Sequence, residues 1–198
     1  FAAMEVVPLH YRSKAVSYVI AGGVLSALGA PLYFNAANAL SEPITFMGAY
    51  IGVIVLSLLA FIPVSFVRFP SQQEDAEASE GRSRPLSDII RQPVFLAAVA
   101  NGCGGYALMT LVMTAAPVAI VACGFTAVSA SYVIQWHILA MTLPAFVTGT
   151  LIQKGGVLRV LMAGIGLYIL AAMTGLNGQT IPYFGATLVL VGLAWNFM

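Results

Sequence analysis

The chain has 198 residues, 60% of them hydrophobic and only 8% charged, where an ordinary soluble domain carries about 25% charged residues. Its net charge of +1 gives no basic excess with which to hold nucleic acid. The composition belongs to an all-α polytopic membrane helix bundle embedded in a lipid bilayer.

A helix needs about 20 mostly apolar residues to cross a bilayer, and the chain divides on that measure. The opening FAAMEVVPLHY reads as the tail of an earlier helix. Spans are predicted at 13–34 and 44–67, separated by a short polar loop ending in SEP, with Arg68 closing the second. RFPSQQEDAEASEGRSRPLSDIIRQP follows; it holds most of the charge in the chain and reads as a solvated linker. Further spans are predicted at 93–121, 129–152 and Val157–Leu176, and a sixth begins at Ile181 and breaks off near its end. Because the sequence opens on Phe1 without a signal-peptide pattern and stops at Met198 in an apolar run, it is expected to be an internal piece of a longer membrane protein.

Threading the spans alternately across the membrane sorts the charges. Every Lys and Arg falls in three groups: Arg12 and Lys14; Arg68, Arg82, Arg84 and Arg91; Lys154 and Arg159. All three groups lie on one face, and the opposite loops NAANALSEP, ACGFTAV and NGQT contain none. By the positive-inside rule that face is cytoplasmic. The two cysteines, Cys103 and Cys123, would be about 30 Å apart along one helix at ~1.5 Å per residue. That is too far for a disulfide, and both are expected to be small buried apolar residues.

Within the spans, Gly22, Ser26 and Ala30 repeat every four residues before Pro31, and Gly48 with Gly52 forms a GxxxG; both patterns let helix backbones approach closely. Pro63, Pro117, Pro144 and the GCGG stretch at 102–105 are expected to bend or loosen their helices. No HExxH, no GxSxG and no acid inside a span is present, so an intramembrane enzyme lacks its nucleophile, paired acids or metal set. Neither a cofactor nor a metal site is expected.

Polar groups at membrane depth are few. His137 is the one ionisable side chain there, about 12 Å from its helix start at ~1.5 Å per residue, and such a residue is a functional candidate by default. A neutral His hydrogen-bonded between helices is the competing reading. Gln135 lies roughly 200° around the same helix, so the two cannot face one cavity. His137 shares a face with Met141, Pro144 and Thr148, and Gln135 shares one with Thr142, Gly149 and Gln153. Asn101 beside the glycine cluster and Asn196 beside Trp195 complete the substrate-binding candidates, with interhelical hydrogen bonding as the alternative. Tyr18, Tyr33 and Trp136 suit packing or interfacial anchoring.

The knuckle GTLIQKGGVLR reverses the chain between two spans. Gly155 and Gly156 supply permissive backbone, Lys154 and Arg159 anchor the turn at headgroups or helix carbonyls, and Gly149 lets a neighbouring helix lie against it. The spacing resembles the cytoplasmic-loop signature of the major facilitator superfamily, G-x-x-x-D-R/K-x-G-R/K-R/K. Gly149, Lys154 and Gly156 match; Gln153 replaces the usual Asp, Val157 and Leu158 replace basic residues, and Arg159 supplies a cation slightly late. SALGAPLYFN is similar to the antiporter motif of the fifth helix: Ser17, Ser26, Ala30 and Pro31 fill small and proline positions, and Phe34 and Asn35 replace its final glycine pair. RSKAVSYVIAGGV and WHILAMTLPAFVTG also resemble bacterial members.

The resemblance implies helices five to ten of a twelve-helix carrier in the bacterial inner membrane. Residues 1–68 would end one bundle, with the tail of helix four and helices five and six. Residues 69–93 would form the cytoplasmic inter-bundle linker, and 94–198 would start the second bundle. The missing helices of the same chain would be its partners. It further implies secondary transport of a small solute by alternating access, with coupling to protons or another ion left open. Gly149, Gln153, Lys154, Gly156, Arg159 and Pro31 would take the conformational role. A channel or a non-transporting structural membrane protein is the alternative.

Overall fold

A computed structural model describes residues 12–40, 46–66 and 86–198. The opening stretch, the SEP loop and most of the charged linker, with Arg68, Arg82 and Arg84, lie outside the described residues. Among the described residues eight helices follow in chain order: α1 Arg12–Leu40, α2 Met47–Phe66, a short α3 Leu86–Ile90, α4 Pro93–Ala122, α5 Ala127–Thr142, α6 Ala145–Gly155, α7 Val157–Leu176 and α8 Ile181–Phe197. Five of the described helical segments are long and apolar enough to cross a membrane, α5 and α6 together forming one of them, and α8 is a shorter apolar helix. The protein is an all-α polytopic membrane bundle. Helices suit a bilayer because their backbone groups are satisfied within the segment.

α8 is the hub, packed chiefly between α5 and α7 and also against α4, while α5 additionally carries α1. α2 packs on α1. The contact is built by the GxxxG: Tyr33 Oη donates to Gly48 O at 2.9 Å, and its phenol occupies the space that a side chain at Gly52 would fill. A Cβ at 52 would displace the Tyr33 phenol from this place and break its hydrogen bond to Gly48 O.

Capping explains how α4 stops and α5 starts within four residues. Gly124 has φ +88°, its N–H donates to Val121 O and that of Phe125 to Ile120 O. This is a Schellman closure, which needs a left-handed residue after the helix. Phe125 then packs on the buried cluster of Ala116, Ile120, Ala130, Val133 and Leu188. Thr126 caps α5, its Oγ1 accepting from Ser129 N at 3.1 Å.

Several expectations are corrected. α1 runs on to Leu40, so most of NAANALSEP is helical rather than loop. α3 falls inside the predicted linker. α2 and α4 remain helical through Pro63, Pro117 and the 102–105 glycines, whereas at Pro144 the helix is interrupted, between α5 and α6. Both cysteines are exposed free thiols, Cys123 Sγ lying 3.7 Å from Gln179 Oε1, rather than buried apolar residues. The face of α1 also differs by one position. Gly22, Ser26 and Ala30 are exposed, whereas Ala27 and Pro31 are buried and Gly23 lies over Thr142.

Candidate functional site

α1 and α5 meet in an antiparallel seam. A Cβ on Gly23 would touch Thr142 Cγ2 at 3.6 Å, and Gln135 Nε2 donates to Leu28 O at 3.2 Å, so residues advance along one helix as they recede along the other. Beyond Gln135 the seam opens into a cavity of about 690 Å³ between α1, α4 and α5. Its walls are Pro31, Phe34, Phe46, Pro117, Ile134 and Ile138 with small residues between, and its polar side chains are Gln135 and Ser131. Phe34 and Phe46 stand at its edge with ring centroids 6.0 Å apart.

His137 points away from this cavity. It is 1% exposed, and its Nδ1 lies 2.7 Å from Leu188 O on α8. The close approach is allowed by Gly192, where a Cβ would sit 2.6 Å from His137 O and 3.1 Å from Met141 N. With a carbonyl as its partner, Nδ1 is the protonated nitrogen. His137 thus joins α5 to α8, and its separation from Gln135 around α5 is the one the helical spacing requires.

Asn196 and Thr148 form a second polar group at the Pro144 break. Asn196 Nδ2 donates to Met141 O at 2.9 Å, across from α8 to the interrupted turn, and Thr148 Oγ1 is hydrogen-bonded to Asn196 Oδ1. Thr148 Oγ1 also lies 2.8 Å from Pro144 O, so its single proton is shared between two acceptors. A proline break in lipid needs such partners for the backbone it frees. Asn101 is separate, donating from Nδ2 to Met198 O at 3.1 Å. Of the four substrate-binding candidates, only Gln135 lines the cavity.

At the knuckle, Gly156 has φ +81° and ψ 154° and its N–H donates to Ile152 O at 2.8 Å. That backbone region belongs essentially to glycine. Gly155 closes α6 without positive φ, and among the described residues nothing lies within 4 Å of where a Cβ on Gly149 would stand. Gln153, Lys154 and Arg159 are all exposed. Sequence reasoning missed Gly192 and Thr148 as organising residues; the first is one glycine in an apolar run, and the second became legible only through its partner 48 positions away.

The staple at the break makes a measurable prediction. Asn196→Leu should lower stability by about 1 kcal/mol, the scale of an interhelical hydrogen bond in a membrane. A double-mutant cycle with Thr148→Val, read from unfolding in micelles, should give a coupling near 0.6 kcal/mol. Strict additivity would mean that the Thr148–Asn196 contact carries no energy.

Over 197 residues, the whole of this chain, the sequence is 36% identical to the riboflavin transporter RfnT of Brucella anthropi. The match takes in 50% of that protein, so the chain spans about half the length of the curated relative. No family profile and no solved structure matches it. The chain is thus similar, from end to end, to half of a riboflavin transporter.

Proposed function

We propose that the chain is the middle half of a secondary carrier that moves a small solute, with riboflavin as the first candidate, by alternating access in a bacterial inner membrane. The observation that carries this reading is the 36% identity to a riboflavin transporter along the entire chain. The tight loop GTLIQKGGVLR supports a major facilitator architecture. On this reading residues 1–68 belong to one bundle and 94–198 to the other, joined by 69–93, and helices beyond this stretch complete the pathway. The α1–α5 seam is then a contact between the two bundles, of the kind that must slide when they rock.

The knuckle belongs to the cytoplasmic gate, with Gly156 setting its path and Gly149, Gln153, Lys154 and Arg159 around it. The antiparallel α1–α5 pairing supports one common face for Arg12, Lys14, Lys154 and Arg159, and the positive-inside rule makes it cytoplasmic. In a cysteine-free full-length protein, single cysteines at Ser79 and Gly155 should label only from the cytoplasm, and one at Asn38 only from outside. Labelling of Ser79 from outside overturns the threading. The function itself is tested by uptake in proteoliposomes. The full-length protein should take up riboflavin saturably and exchange labelled for unlabelled riboflavin across the membrane. Non-saturable flux without exchange would mean a channel, and no flux would remove the riboflavin assignment.

A further inference from the structure

The cavity beside Gln135 has a chemistry of its own. At about 690 Å³ it falls within the usual range of small-molecule sites, about 300–1,000 Å³. Among the described residues no charged side chain lines it. Within this lining a charged ligand would lose hydration without an ionic partner, which favours a neutral occupant. Its walls are proline, aliphatic and phenylalanine side chains, with Phe34 and Phe46 tilted 33° to one another at the edge. Such walls favour a flat aromatic body, whose faces need no hydrogen bonds and stack on rings.

Gln135 supplies the specific contact. Because its partner Leu28 O is a carbonyl, the nitrogen side of the amide must face α1. One N–H of Nε2 is thereby engaged. The second N–H and Oε1 make no other hydrogen bond among the described residues. A primary amide held this way presents one donor and one acceptor side by side. The complementary edge is an N–H beside a C=O within a ring, as in a cyclic imide.

We propose that this cavity binds a neutral flat heteroaromatic with a cyclic imide edge, and that Gln135 reads that edge while Leu28 O holds its amide in orientation. Riboflavin has this form: a planar ring system, an imide edge and an uncharged polyhydroxyl chain. The cavity reaches the α4–α5 turn at Ala122 and Ala127, the end from which that chain meets water on the proposed topology. The assignment rests on the transport reading above and adds the place and the mode of recognition.

The test uses full-length protein in proteoliposomes with riboflavin and N3-methylriboflavin, whose methyl group removes the imide donor. Wild type should prefer riboflavin by about tenfold in KM, the scale of one buried hydrogen bond left unmade. Gln135→Leu should raise the riboflavin KM by about tenfold, leave kcat within about twofold, and abolish the discrimination. In a cysteine-free background, Val118→Cys and Ile134→Cys should react with a thiol reagent and be protected by riboflavin. Retained discrimination in Gln135→Leu overturns the proposal. So do cysteines at 118 and 134 that stay unreactive with and without riboflavin, since another helix then fills the cavity. If wild type moves no riboflavin, the transport reading fails and this site fails with it; if it does, only the site is at stake.

Discussion

Gly192→Val should leave little folded protein, and Gly192→Ala should lower the unfolding midpoint in micelles sharply. An ideal Cβ at this position would lie 2.6 Å from His137 O, 3.1 Å from Met141 N and 3.2 Å from Ala140 Cβ. Two of these three atoms are backbone, so no rotamer change relieves the overlap, and α8 would have to move away from α5. That displacement would also lengthen the 2.7 Å contact between His137 Nδ1 and Leu188 O. Overpacking of a tight core costs about 1–3 kcal/mol, and a fixed backbone neighbour places this site at the upper end. Gly185→Ala is the control: it lies on the same helix with nothing within 4 Å of its Cβ position. That substitution should be neutral or stabilising, by up to about 1 kcal/mol, as for glycine to alanine within a helix. Equal stability of the 192 and 185 alanine variants would show that α5 and α8 are not in contact here.

Gly156→Val should slow transport strongly while leaving the protein inserted in the membrane. Its φ of +81° with ψ 154° is closed to residues with a Cβ, and more so to a β-branched one. Holding valine there costs about 1–3 kcal/mol, or else the turn between α6 and α7 changes path. Space is not the issue, because nothing lies within 4 Å of its Cβ position. The cause is the backbone, so Gly156→Ala should share most of the defect. Gly155→Ala, at a helical position with equal space, should share little of it. Lys154→Ala should act weakly, since an exposed charge is screened and contributes under about 1 kcal/mol. Gln153→Asp should be tolerated. In purified full-length variants, a gate defect lowers turnover before it raises the apparent dissociation constant. Wild-type turnover in Gly156→Val would reduce the knuckle to a turn.

Hydropathy alone located the spans. The span predicted at Val157–Leu176 coincides with α7, and the turn after Gly156 falls where its glycines stand. These features were legible because they are local: segment length follows from bilayer thickness, and a reversal within a few residues needs a glycine backbone. The roughly 200° between Gln135 and His137 was legible for the same reason, as helical geometry alone fixes it.

Which face meets which neighbour was decided by the tertiary structure. A soluble helix marks its buried side by an apolar stripe, but these helices are apolar all round because lipid is as apolar as the core. The repeat at Gly22, Ser26 and Ala30 therefore looked no different from the one at Gly23, Ala27 and Pro31, and only packing on α5 selected the second. The same holds for polar residues. Gln135, His137, Asn101 and Asn196 were equivalent candidates in the sequence, each a hydrogen-bonding group in need of a partner. Their partners, Leu28 O, Leu188 O, Met198 O and Met141 O, lie 51 to 107 positions away. The sequence by itself thus determined that the chain is a bundle of long apolar helices and where Gly156 turns it, through hydrophobic length and backbone conformation. Only the tertiary structure decided that Gln135 both joins α5 to α1 and lines a cavity, while the other three line none of it, because that depends on which carbonyl a neighbouring helix brings within reach.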